Sequence, residues 1–152
     1  MQTAILKLRQ FCAYQERSHQ ETRYKCLELG LRGEEVEQAI TELIAENFLN
    51  EERFAKAYAG GKFRIKQWGR KRIKMELKQK QVSDYCIRKG LEEIDEEDYE
   101  AVLLKLTEKK YESLKGETEI KRKYKTMQYL LQRGFESELI SDALEQIANK
   151  AG

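Results

Sequence analysis

The chain has 152 residues, 40% of them hydrophobic and 37% charged, so it has the length of one ordinary domain but few core-forming side chains, and one deep core is not expected. Its 29 Lys and Arg nearly balance 27 Asp and Glu, and a net charge of +2 excludes a uniformly basic or acidic chain and shifts attention to how the charge is distributed. Proline is absent and no window approaches the roughly 18 to 20 apolar residues of a membrane span, so an all-α, soluble, unprocessed protein is expected.

Taken in chain order, 3.6-residue periodicity predicts nine helices. The first carries Ile5, Leu8, Phe11 and Cys12, the second runs from Ser18 to Leu29, and the third from about Glu34 to Asn47. The fourth carries Phe54, Tyr58 and Ile65, the fifth runs from Arg70 to about Lys80, and the sixth from Asp84 to Glu93. The seventh carries Tyr99, Val102, Leu103 and Leu106, the eighth runs from Glu119 to Arg133, and the ninth from Glu138 to Ala148. Ser18 with Glu21 forms a capping-box pattern, Asn50 reads as an N-cap, and Ser83 and Ser137 each stand one residue before a helix. Gly30, Gly69, Gly116 and Gly134 fall where helices should stop.

The nine helices repeat as three triplets. With Gly30, Gln81 and Gly134 as equivalent anchors, apolar residues recur at +1 (Leu31, Val82, Phe135), +6 (Val36, Ile87, Ile140), +10 (Ile40, Leu91, Leu144) and −4 (Cys26, Leu77, Leu130), a unit of about fifty residues. The expected architecture is three tandem three-helix-bundle repeats, 1–49, 50–97 and 98–152, in an elongated, curved array whose neighbours share apolar faces.

Charge is strongly polarised. Nine bases lie between Lys62 and Lys80 (Lys62, Arg64, Lys66, Arg70, Lys71, Arg72, Lys74, Lys78, Lys80) against the single acid Glu76, and an acidic block follows from Glu92 to Glu100. Arg70, Lys74 and Lys78 share a helical spacing opposite Ile73 and Leu77, so this window reads either as a surface facing a polyanion or acidic protein, or as an ordinary solvated helix face. The acidic block reads as the capped, dipole-complementing start of a helix near Asp95. Trp68 and Gly69 sit at a helix junction inside the basic window, where the indole could stack on a partner or enter the core. Arg53 either bridges Glu51 or Glu52 or is kept for a partner, and Phe54, Tyr58 and Phe63 read as packing residues.

The residues for other chemistry are missing. Cys12, Cys26 and Cys86 lack C-x-x-C spacing and read as reduced core thiols, and His19 has no ligand partner, so no metal site is expected. No phosphate-binding glycine motif and no nucleophile elbow occurs, so neither a cofactor nor catalysis is expected, and the chain reads as a binding protein.

The segment from Phe48 to Tyr58, with Asn50, Arg53 and Phe54 at its centre, followed by Trp68-Gly69-Arg70-Lys71-Arg72-Ile73-Lys74-Met75-Glu76-Leu77, resembles the central signature of the RecX regulatory proteins. Arg17-Ser18-His19-Gln20-Glu21 resembles their N-terminal element, and Tyr129-Leu130-Leu131-Gln132-Arg133-Gly134-Phe135 a C-terminal one. Glu51, Thr22 and Gln81 depart from the residues usual in that family. The resemblance implies a cytoplasmic bacterial regulator acting in homologous recombination and the SOS response. Such a protein would bind the RecA–single-stranded-DNA filament and restrain its extension, ATP hydrolysis, strand exchange and co-protease activity by steric means. On this reading Lys62, Arg64, Arg70, Lys71, Arg72 and Lys74 contact the RecA filament or its DNA, and Arg53, Phe54, Trp68 and Gly69 hold the central motif in shape. The chain is expected to be a monomer with at most weak affinity for bare single- or double-stranded DNA and none for membranes. A helical module acting directly on nucleic acid and an adaptor unrelated to recombination are the rival readings.

Overall fold

The computed structural model describes residues 1–151, and among them it contains α-helices, one π-helical turn and no β-strand. The helices are α1 (Gln2–Tyr14), α2 (His19–Glu28), α3 (Glu34–Ala45), α4 (Glu51–Gly61), α5 (Arg70–Gln79), α6 (Asp84–Leu91), α7 (Glu96–Ser113), α8 (Glu119–Gln132) and α9 (Ser137–Ala151), and the π-helical turn Lys62–Lys66 continues directly from α4. By internal packing the described residues form two compact units, 1–59 with 76–92, and 60–75 with 93–151, two of the three boundaries falling inside α4 and α5 and the third just after α6. Gly152 lies outside the described residues.

The second helix of every triplet ends in the same way. Gly30, Gln81 and Gly134 all adopt left-handed backbone conformations, with φ of 93°, 63° and 96°. In each case the next residue's N–H reaches five residues back, Leu31 to the Cys26 carbonyl (3.0 Å), Val82 to Leu77 (3.1 Å) and Phe135 to Leu130 (3.1 Å). The left-handed residue itself donates to Leu27, Lys78 or Leu131 at 2.9 to 3.0 Å. These are Schellman closures: the left-handed residue reverses the chain while its neighbour satisfies an orphan carbonyl and brings two apolar side chains together. The sequence repeat therefore marks a repeated backbone device. Of the apolar positions it named, Leu91 alone is only half-buried.

In the first unit, Leu8, Cys26, Ala39, Leu43 and Leu49 form the centre of the core. Ser18 and Glu21 make the reciprocal capping box, the Ser18 hydroxyl accepting from the Glu21 N–H (3.0 Å) and Glu21 accepting from the Ser18 N–H (2.8 Å). Asn50 caps α4 through the Arg53 N–H (2.9 Å) and Ser83 caps α6 through the Cys86 N–H (3.2 Å). Glu51 joins these starts, accepting from the Ser83 N–H (3.0 Å) and lying 3.6 Å from His19 Nδ1. Cys12 and Cys26 are buried as expected, but Cys86 is half-buried, because it stands in the first turn of α6 beside its cap; burial raises all three thiol pKa values above the ordinary range.

In the second unit the core is aromatic. Tyr99 lies between Phe63 (centroids 5.7 Å apart) and Phe135 (5.3 Å), and Ile73, Leu103, Leu130 and Ile140 are buried with them. Ile65, expected on an apolar helix face, is instead 80% exposed. A π-turn takes one more residue per turn than an α-turn, so Phe63 keeps the inward position and Ile65 is carried out to solvent. Ser137 is the first helical residue of α9 rather than the one before it, and Gly69 stands immediately before α5 rather than ending a helix. Asp95 caps α7 by accepting from the Asp98 N–H (3.0 Å), with Glu96, Glu97 and Asp98 in the first turn, which accounts for most of the acidic block.

Two outcomes follow. Although burial pushes the Glu51 carboxyl upward, the Ser83 and Cys86 bonds and His19 hold its pKa below the ordinary carboxylate value. Its stabilising contribution is present above the unfolded-state pKa of about 4.3 and disappears as pH falls through the depressed folded value; Glu51→Gln should flatten that acid limb in urea midpoints measured against pH. Gln81→Gly should stabilise the protein by about 0.5 kcal/mol, the relief of a left-handed side chain outweighing glycine's extra chain entropy, and should raise the thermal midpoint.

Candidate functional site

The basic segment of the second unit, residues 60–75, is shaped by its own backbone. The π-turn stops at Gln67, which is left-handed (φ 55°) and donates its N–H to the Lys62 and Phe63 carbonyls. Trp68 follows, and the chain then lies directly on the end of α8: the Gly69 N–H donates to the Arg133 carbonyl (2.7 Å) and the Lys71 N–H to the Gly134 carbonyl (2.9 Å). A β-carbon on Gly69 would stand 2.3 Å from the Gly134 carbonyl, and one on Gly134 would stand 2.4 Å from Arg72 Cβ. Glycine at 69 is thus required by contact, since its φ is not left-handed, and glycine at 134 by both contact and φ. The Arg133 guanidinium completes the joint by donating to the Lys66 and Gln67 carbonyls at the open end of the π-turn. Trp68-Gly69-Arg70 and Arg133-Gly134-Phe135, distant in sequence, are two halves of one contact.

Arg70 is the polar centre of this joint. Its guanidinium donates to Glu136 (2.7 Å) and Glu96 (2.5 Å) and stacks over the Tyr99 ring at 3.8 Å. Its backbone N–H donates to the Tyr99 hydroxyl (3.0 Å), which in turn donates to Glu136. Burial opposes the Arg70 charge, but the two carboxylates outweigh it and hold its pKa above the ordinary arginine value. Burial and the Glu136 carboxylate likewise keep the Tyr99 phenol protonated, well above its usual range. Glu136 is the shared acceptor, and removing it would leave the buried Tyr99 hydroxyl without its acceptor and Arg70 with the exposed Glu96 alone.

The six bases expected to face a partner therefore divide. Arg70 is turned inward and spent on the joint. Arg72 stacks over the Trp68 ring at 4.1 Å and Lys62 Nζ lies 5.1 Å from the same ring, both half-buried. Arg64, Lys71 and Lys74 are exposed, as is Lys66, and none of these four makes an ion pair among the described residues. On α5 the outward cations are Lys71, Lys74 and Lys78, not the Arg70, Lys74, Lys78 row, because Arg70 lies toward the buried face of Ile73. Trp68 is neither wholly core nor a free stacking platform: it is half-buried, with two cations near its ring.

Arg53 and Phe54 belong to the first unit and form no part of this segment. Arg53 bridges neither Glu51 nor Glu52 but Glu16 (2.6 Å), and it also donates to the Asn47 and Phe48 carbonyls, closing the end of α3. Phe54 is buried and packs on Tyr58 (5.7 Å). Sequence reasoning did not find Tyr99, Arg133 and Glu136 as builders of the site. Arg133 stood inside a quoted motif and Tyr99 on an apolar stripe, but nothing local marks Glu136. Among the described residues no group of acidic, histidine or cysteine side chains is placed to hold a metal.

A chain of three-helix repeats closed in this manner defines an all-α class of tandem-repeat proteins, and comparison with known proteins narrows it. Residues 50–91 match the family description "RecX, second three-helix domain" and residues 96–144 match "RecX, third three-helix domain". A regulatory protein RecX of Clostridium perfringens strain 13 is 33% identical over 88% of this chain and 63% of its own length, so this chain spans less than two thirds of that relative. A regulatory protein RecX of Prosthecochloris aestuarii is 32% identical over 90% of this chain and 88% of its own length. The crystal structure of RecX from Lactobacillus salivarius shares the fold with a TM-score of 0.84 at 21% identity, covering 97% of this chain and 99% of that one. The chain belongs to the RecX family.

The two kinds of left-handed glycine should behave differently. Gly30→Ala, with open space around the added methyl, should cost about 1 kcal/mol of backbone strain. Gly134→Ala adds an overlap with Arg72 and should cost about 2–4 kcal/mol, read from denaturant unfolding of the two variants side by side.

Proposed function

We propose that this chain is a cytoplasmic regulator that binds the RecA–single-stranded-DNA filament and lowers ATP hydrolysis, strand exchange, filament extension and co-protease activity by occupying filament surface, without catalysis or cofactor. Membership in the RecX family supports the reading at its coarse level. The observation that carries the finer one is the group of exposed, unpaired cations Arg64, Lys66, Lys71 and Lys74 on a segment whose backbone is fixed by the Gly69–Gly134 contact. Charges held ready on a rigid segment lose little entropy on meeting a polyanion or an acidic protein face. Lys62 and Arg72 flank them around Trp68, and Arg70 serves by holding the segment in place. In this scheme the repeats 1–49, 50–97 and 98–152 are the units that spread the protein along several subunits of the filament.

A second reading, direct action on nucleic acid, is favoured by the exposure of Lys71 and Lys74 on one helix. It requires tight binding to bare strands, with a salt dependence of roughly −0.7 in log–log slope per phosphate neutralised.

Titration into preformed RecA filaments decides between them. Hydrolysis and strand exchange should fall with added protein, and binding to bare DNA should be much weaker than to the filament. The Arg64→Glu, Lys71→Glu, Lys74→Glu triple variant, which leaves the Arg70 network intact, should need at least about tenfold more protein for the same inhibition. Unchanged ATP hydrolysis at saturating protein would reject the regulatory reading. Full inhibition by the triple variant would move the contact elsewhere.

A further inference from the structure

Two features of the second unit have no role in the joint described above, and they are complementary. The first is a ridge on α8. This helix has 14 residues where α2 and α5, its counterparts, have 10 each. Near its start Ile120 is 83% exposed and Tyr124 is 65% exposed, and their i, i+4 spacing puts them on one face. Tyr124 has no ring or hydrogen-bond partner among the described residues. Lys121, between them, is exposed and makes no ion pair, while the neighbouring Lys123 and Lys125 stand beside Glu119 (3.8 Å) and Glu117 (2.5 Å).

The second feature is a groove of about 360 Å³ between α7 and α9. Leu104, Leu139 and Ala143 contribute its apolar lining, and Glu97, Glu100 and Asp142 stand around it. These three carboxylates are exposed and form no ion pair among the described residues. Apolar side chains collared by an unpaired lysine on one surface, and an apolar groove collared by unpaired carboxylates on another, match in both polarity and sign. The volume suits one aromatic and one aliphatic side chain. The ridge residues are exposed in the free chain and α8 contributes nothing to the groove lining, so the contact is not made within one molecule.

We infer that the α7–α9 groove receives the Ile120–Tyr124 ridge of a second copy of this chain, with Lys121 of one copy meeting Glu97, Glu100 or Asp142 of the other. This departs from the monomer expected from the sequence. Ridge and groove are different surfaces, so each bound pair keeps one of each free, and the association is head-to-tail and does not close on itself. It is weak and concentration-dependent, because two anchoring side chains bury far less than a standard interface.

Sedimentation velocity of the isolated full chain tests this without any recombinase, so its outcome is independent of the function proposed above. At low salt the average mass should rise with concentration beyond a dimer. Tyr124→Glu on the ridge and the Glu100→Lys, Asp142→Lys pair on the groove should each weaken association at least about tenfold while leaving helical circular dichroism unchanged. Mixing the two variants pairs an intact groove with an intact ridge and should give a one-to-one dimer that grows no further. A single-chain mass at every concentration would overturn the inference, leaving the groove to a foreign cationic helix. Association undiminished by either variant, or a mixture that fails to pair, would overturn it equally.

Discussion

The structure depends on a backbone constraint at the end of the second helix in every triplet. The chain must reverse there within two residues, and it does so through a left-handed residue whose successor bonds five positions back. That closure sets where the third helix begins and which of its faces meets the core, so Leu31, Val82 and Phe135 are buried by the same event. In the third triplet the closure has an additional task. The Gly134 carbonyl accepts the Lys71 N–H, and the left-handed turn leaves room for Gly69 to approach without a side chain between the two backbones. A turn that ends one helix thereby anchors the start of another.

This contact separates the cations by function. Arg70 and Arg133 are committed to carboxylates and carbonyls within the second unit, Arg53 to a similar closing role in the first, and Arg64, Lys66, Lys71 and Lys74 are left in water. Charge density along the sequence does not distinguish these classes. A guanidinium, with its planar set of donors, suits the joint better than an ammonium would, and the residues holding the joint are arginines whereas most of the solvated ones are lysines.

How much could be read in advance follows from the range of each interaction. The capping box at Ser18, the caps at Asn50 and Ser83, the acidic start of α7 and the three anchors are local, involving residues no more than five apart, and the sequence displays them directly. Even Gln81, lacking glycine, was located by the apolar residues around it, because the Schellman closure imposes their spacing whatever residue takes the left-handed position. The inward turn of Arg70, the Glu16 partner of Arg53 and the meeting of Gly69 with Gly134 depend on tertiary packing and leave no periodic trace. The π-turn was hidden for a subtler reason: one added residue changes the phase of the helix, so a fixed 3.6-residue period assigned Ile65 to the wrong side.

Trp68 gives the basic segment a further property. It is the only tryptophan in the chain, and both the Lys62 ammonium and the Arg72 guanidinium lie close to its indole. Indole emission responds to the electric field of adjacent charges, so an anion that draws either cation away would change the brightness and colour of the light from this one ring. The native protein thus carries its own optical gauge of what occupies that surface, with no dye attached and no second chromophore of the same kind to confuse the signal.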